Sequence, residues 1–149
     1  MKRSLVLLLA FLTLAVSLGG CKYLPAPTID NPKEGTPEWL VYKAIEAAQE
    51  PDAEKSYKMI RPYLHSTLIG MRTAEESFLG MNYPAFRRKV RLFTPDDKTP
   101  VYKLSRTEED QPDKNHRLFV VNEGSDMPSP FRIARDSAAN NEWRILNVP

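Results

Sequence analysis

Phe131-Arg132-Ile133 and Trp143-Arg144-Ile145, with Ala138-Ala139-Asn140-Asn141 between them, are the runs on which the fold turns. In each, two large apolar side chains flank an arginine. A period of two sends the apolar pair to one face and the arginine to the other. An antiparallel sheet with one buried and one wetter face has this pattern. The Ala-Ala-Asn-Asn segment suits a hairpin loop, so the last two strands are expected to pair.

Upstream, Leu118-Phe119-Val120-Val121 lacks any polar alternation and fits a central strand. Val101-Tyr102-Lys103-Leu104 adds a further run rich in β-branched and aromatic residues. Polar or proline-bearing turns separate the runs.

The preceding stretch reads as helical. Thr36-Pro37-Glu38 places an N-cap, a first-turn proline and a first-turn acid in order. Leu40, Val41, Ala44, Ile45 and Ala48 then repeat at helical spacing until Pro51. Asp52 can cap a second helix with Ala53, Tyr57, Ile60 and Leu64 on one side, shortened or kinked at Pro62. Ser66 to Met71 is expected to be a short strand or extended connector. Thr73-Ala74-Glu75-Glu76 matches a capping box and opens a third helical region. Gly80, Asn82 and Pro84 are expected to interrupt it, Pro84 starting a separate turn through Phe86 to Val90.

Helices followed by a meander of strands define an α+β domain over residues 36–149, with N-terminal helices packed on a curved antiparallel sheet of about four to five strands. The Thr36-Pro37-Glu38 helix start, the strand Pro130-Phe131-Arg132-Ile133, the polar turn and the closing Glu142-Trp143-Arg144-Ile145 together resemble the NTF2-like (cystatin-like, SnoaL-like) superfamily. The prolines between Pro51 and Pro100 depart from it. The resemblance implies a cone whose mouth can hold a small molecule, and some members are isomerases or dehydratases using Asp, His or Tyr inside the cone. The corresponding polar groups here are Tyr57, Tyr63, His65 and Tyr102. Their spacing singles out no proton-transfer pair, and the plainer expectation puts the tyrosines at the core edge and His65 on the surface.

Other chemistry finds little footing. His65 and His116 lie far apart without ligand-spaced partners, so no metal and no cofactor are expected. No Gly-x-Ser-x-Gly setting or Gly-rich phosphate loop occurs. Phe86-Arg87-Arg88-Lys89-Val90-Arg91 is the one dense basic cluster. On a helix, Arg87, Arg88 and Arg91 fall within one turn and could contact phosphate or carboxylate groups. The alternative is a solvated face balanced by acids such as Glu108, Glu109 and Asp110.

The N-terminus carries an address. Lys2 and Arg3 precede an apolar run from Leu5 to Val16, and small residues follow, which defines a secretory signal peptide over residues 1–20. The run is shorter than the roughly 20 residues needed to span a bilayer. Leu18-Gly19-Gly20-Cys21 resembles the lipobox of bacterial lipoproteins. That resemblance implies cleavage between Gly20 and Cys21 and lipid attachment to the Cys21 sulfur. Cys21 is the only cysteine of the 149 residues, so no internal disulfide can form. Two or more acyl chains give a stable anchor where one is marginal. By the same resemblance, Lys22 in place of Asp suggests the outer membrane, on its periplasmic face or surface. Residues 21–35, rich in proline, read as a tether reaching roughly 40 Å when extended at about 3 Å per residue. Alternatively, part of it packs on the domain through Tyr23, Leu24 or Ile29.

The chain has 21 basic and 19 acidic residues, a net charge of +2. Without Lys2 and Arg3 the two signs balance, which gives no electrostatic reason to bind nucleic acid. The sequence is therefore expected to encode a non-enzymatic envelope lipoprotein, membrane-bound through acyl chains on Cys21. Its domain would bind an envelope protein or anionic component. A small-molecule-binding or catalytic NTF2-like domain is one alternative, and an accessory subunit of a secretion or motility machine another. A cone plugged by Trp39, Phe119, Phe131 and Trp143 would favour the first.

Overall fold

The computed structural model describes residues 25–111 and 113–149. The signal peptide, Gly20, Cys21, Tyr23 and Leu24 lie outside the described residues. A five-stranded, fully antiparallel sheet curls against a layer of helices, with strands in the order β1-β2-β3-β4-β5. These are β1 (Thr28–Ile29), β2 (Tyr102–Gln111), β3 (Asn115–Val120), β4 (Ser129–Asp136) and β5 (Glu142–Asn147). The helices are α1 (Pro37–Gln49), α2 (Ala53–Ile60), α3 (Ser66–Ile69), α4 (Arg72–Ser77) and α5 (Tyr83–Lys89). The α+β class expected from the sequence is the class observed. Among the described residues no helix is long and apolar enough to cross a membrane.

The helix starts obey local rules where the cap is local. Thr36 Oγ1 accepts from the Trp39 amide at 3.2 Å and Asp52 Oδ1 from the Lys55 amide at 2.8 Å. Each satisfies an amide the helix itself leaves unpaired. Pro62 ends α2 at Ile60, and Arg61–Tyr63 tightens into a 3-10 turn.

Three expectations need correction. Ser66 to Met71 is not extended, because Ser66–Ile69 winds into one helical turn. The Asp136 carboxylate, seventy positions away, takes the Ser66 amide and hydroxyl, and the His65 ring accepts from the Thr67 amide. Thr73 is not an N-cap either: α4 begins at Arg72, with Met71 capping without a side-chain bond. Glu76, the acid that a cap at Thr73 would use, pairs instead with Arg72 Nε at 2.7 Å, and the Glu75 carboxylate is held by the Tyr57 hydroxyl and by Arg61 Nε at 3.2 Å. Gly80, Asn82 and Pro84 do not break the chain. Phe78–Asn82 widens into a π turn that leads directly into α5. The wider turn accommodates Pro84, which falls in the first turn of α5, where its missing amide is not needed.

The hairpin between β4 and β5 forms as expected. Asn140 and Asn141 both take the left-handed conformation, at φ 53° and 57°, which short polar side chains tolerate better than most. Strand β3 is central, between β2 and β4. Strand β2 runs well past Leu104, since Ser105–Gln111 extends beyond the helices and is polar on both faces. Ile29 pairs with Tyr102 and packs against the core, so the chain after Pro27 lies along the sheet edge.

Helices and sheet meet through aromatic side chains. The Phe86 ring stands edge-on to Phe131 at 5.4 Å and packs against Phe93 at 5.9 Å and Tyr83 at 6.3 Å. All four are buried. Of the expected plug, Phe131 is in this core. Phe119 points away from the helices and lies under the Arg106 guanidinium at 3.7 Å, so it plugs nothing. Trp39 and Trp143 sit at the margin.

Candidate functional site

The four polar groups expected inside a cone do not converge. Tyr102 is fully buried and its hydroxyl donates to the Glu38 carbonyl at 2.9 Å. Burial pushes its ionisation far above the tyrosine range. Tyr57 donates to Glu75, and burial raises it too, with the Glu75 bond adding to the effect. His65 touches Thr67 Oγ1 at 3.0 Å and the Arg135 carbonyl at 3.4 Å. Tyr63 packs its ring against Trp39, centroids 5.1 Å apart and nearly perpendicular.

The three arginines do come together, along a groove of about 440 Å³ beside the end of α1. Two of them are already engaged. The Arg87 guanidinium donates to the Glu50 and Pro51 carbonyls, closing the C-terminus of α1, where a cation is favoured. Arg91 pairs with Asp97 at 3.0 Å. Arg88 is exposed and has no salt bridge among the described residues. The one acid paired with the cluster among the described residues is therefore Asp97, and the Glu108–Asp110 run pairs instead with Arg106 and Arg117. Arg87→Ser is expected to cost about 1–2 kcal/mol, as charged hydrogen bonds to carbonyls do, and Arg88→Ser less than about 0.5 kcal/mol. Thermal unfolding of both variants checks the ranking, and equal effects would contradict it.

The site that emerges lies elsewhere, where the start of α1, the Arg61–Tyr63 turn and the β4–β5 hairpin meet. It is a cleft of about 460 Å³, within the range of small-ligand sites. Leu40 and Trp143 are buried at its floor, Trp39 and Tyr63 are half-buried on its wall, and Glu34, Arg135 and Glu142 are exposed at its rim. Each position has a local cause. Gly35 turns the chain at φ 80°, a conformation suited to glycine, between Glu34 and the cap residue Thr36. Trp39 sits one step outside the apolar stripe of α1. Arg135 and Trp143 are cross-strand partners, and the guanidinium lies over the indole at 4.1 Å, a favourable cation–π geometry. Arg135 Nη1 also donates to the Asn141 carbonyl at 3.0 Å. Arg144 pairs with Glu142 at 2.6 Å.

Tyr63, expected in a cone, and Trp39 and Trp143, expected in a plug, line this cleft instead. The available signal was Trp39, a large aromatic off the core stripe of an amphipathic helix. The convergence of Glu34 with Arg135, a hundred positions apart, had none.

Fold and cleft together define a small α+β module with an aromatic, two-signed surface cleft. No family model, curated protein or solved structure matches the chain. Among the described residues no group of three or more His, Cys, Asp or Glu could hold a metal ion.

Proposed function

We propose that the protein is a bacterial envelope lipoprotein of NTF2-like architecture, moored through acyl chains on Cys21, whose domain binds its ligand without transforming it. The observation that carries the binding half is the packing of Phe86, Phe93, Tyr83 and Phe131 between helices and sheet. These rings fill the space between helices and sheet, Tyr57, His65 and Tyr102 each bond in a different direction, and Tyr63 packs on Trp39. The anchoring half is supported by Leu18-Gly19-Gly20-Cys21 closing a signal-peptide pattern, and Lys22 after it favours the outer membrane.

Mass spectrometry of the protein from bacterial membranes tests the anchor. The expected mature chain begins at Cys21 and carries a diacylglyceryl thioether. Labelled palmitate should enter the parent and not Cys21→Ser, which should also stay uncleaved. A free Cys21 thiol, or equal labelling of both proteins, would overturn the anchor.

A further inference from the structure

We propose that the Trp39–Tyr63–Trp143 cleft binds a neutral saccharide, a stretch of glycan chain a few sugar units long. The proposal rests on the binding-module reading above and gives that module its ligand class. The charges of the cleft select it. Arg135 and Arg144 are matched by Glu34 and Glu142, so the cleft favours neither anion nor cation. Arg144 and Glu142 satisfy each other. Among the described residues Glu34 and Arg135 have no salt bridge, and Arg135 spends Nη1 on the Asn141 carbonyl, so one carboxylate and the other donors of one guanidinium face a ligand at the rim.

A hydroxyl group serves both, because it accepts from a guanidinium and donates to a carboxylate. A sugar chain supplies many hydroxyls beside faces of C–H bonds, which pack well on aromatic side chains such as Trp39 and Tyr63. A proline-rich peptide is the nearest competitor for an aromatic groove. Its prolines carry carbonyls but no N–H donors, so Glu34 would be buried against it without a partner. That loss is costly for a carboxylate.

Both tryptophans of the chain, Trp39 and Trp143, line the cleft, so intrinsic tryptophan emission reports its occupancy. The full-length chain in detergent is titrated with chitotetraose, cellotetraose, maltotetraose and, separately, decaproline. At least one tetrasaccharide should shift the emission saturably at micromolar to millimolar concentration. Glu34→Gln, an exposed change whose fold is checked by circular dichroism, should weaken that binding about tenfold. Arg88→Ser, in the other groove, should leave it unchanged. No response to any tetrasaccharide would overturn the proposal. A response to decaproline alone would also overturn it, while leaving a binding cleft in place. Binding unaffected by Glu34→Gln would overturn the assigned rim contact. None of these outcomes depends on palmitate incorporation at Cys21, so failure here is separable from failure of the anchor.

Discussion

Phe86→Ala is expected to lower the stability of the protein by about 3–5 kcal/mol, the usual cost of removing a buried aromatic ring. That corresponds to a fall in Tm of roughly 10–15 °C for a domain near this size. The ring is fully buried and is where the layers interlock. Phe131 on β4 meets it edge-on, and Tyr83 and Phe93 approach it from the helical side. A void there cannot close easily, because Phe131 is held in the sheet opposite Leu118 of β3 and Tyr83 is fixed by a hydrogen bond. The Tyr83 hydroxyl and Ser56 Oγ, both buried, lie 2.8 Å apart, and Ser56 donates onward to the Ala47 carbonyl. Phe86→Leu keeps most of the volume and should cost less than half as much. Urea and thermal denaturation of the three proteins give the values. A loss under about 1 kcal/mol for the alanine variant would mean that the helical layer is not seated on the sheet as described.

That aromatic seam shows what the chain reveals locally and what it hides. The strand at Phe131 and the helix through Leu40 and Ile45 were legible because burial imposes a period, of two or of 3.6, on the residues themselves. Thr36 and Asp52 were legible as caps because donor and acceptor lie three positions apart. Ser66 misled because the group that satisfies its amide is Asp136, on another element. Thr73 misled because the helix already starts at Arg72, whose guanidinium claims the Glu76 carboxylate that a capping box needs. Pro84 suggested a break because the π turn before it leaves no periodic trace in so short a segment. The candidate site followed the same division. Arg87, Arg88 and Arg91 line one groove, Arg91 from the 3-10 turn that follows α5 and not from the helix itself, and that Arg87 is used up on the end of α1 depends on a tertiary approach. The cleft of Glu34, Trp39, Tyr63, Arg135 and Trp143 is assembled from three elements, and within them only Trp39, off the core stripe of α1, marks it.

Asp136 is the second position at which a single change should be severe. Asp136→Ala is expected to cost about 3 kcal/mol and Asp136→Asn about 2 kcal/mol, as when a buried acceptor of several hydrogen bonds is lost. The side chain is 2% exposed. Its Oδ2 accepts from the Ser66 amide at 2.6 Å, and its Oδ1 from the Ser66 hydroxyl at 2.8 Å and the Ala138 amide at 3.0 Å. One carboxylate thus pins α3 and starts the turn into β5. Burial alone pushes this carboxyl up, but the Ser66 donors, the Ala138 amide and the nearby His65 outweigh it, and the net shift is downward. A carboxyl held below its unfolded value of about 3.9 contributes stability that is present above that pH and lost as pH falls through the lower folded value. The asparagine variant has no such proton to gain. The stability gap between parent and Asp136→Asn should therefore change little through this carboxyl from neutrality down to about pH 5, and narrow below about pH 4. Urea midpoints measured across that range decide it. A gap that stays level or widens on acidification would show that the Asp136 carboxylate does not hold these segments through its charge.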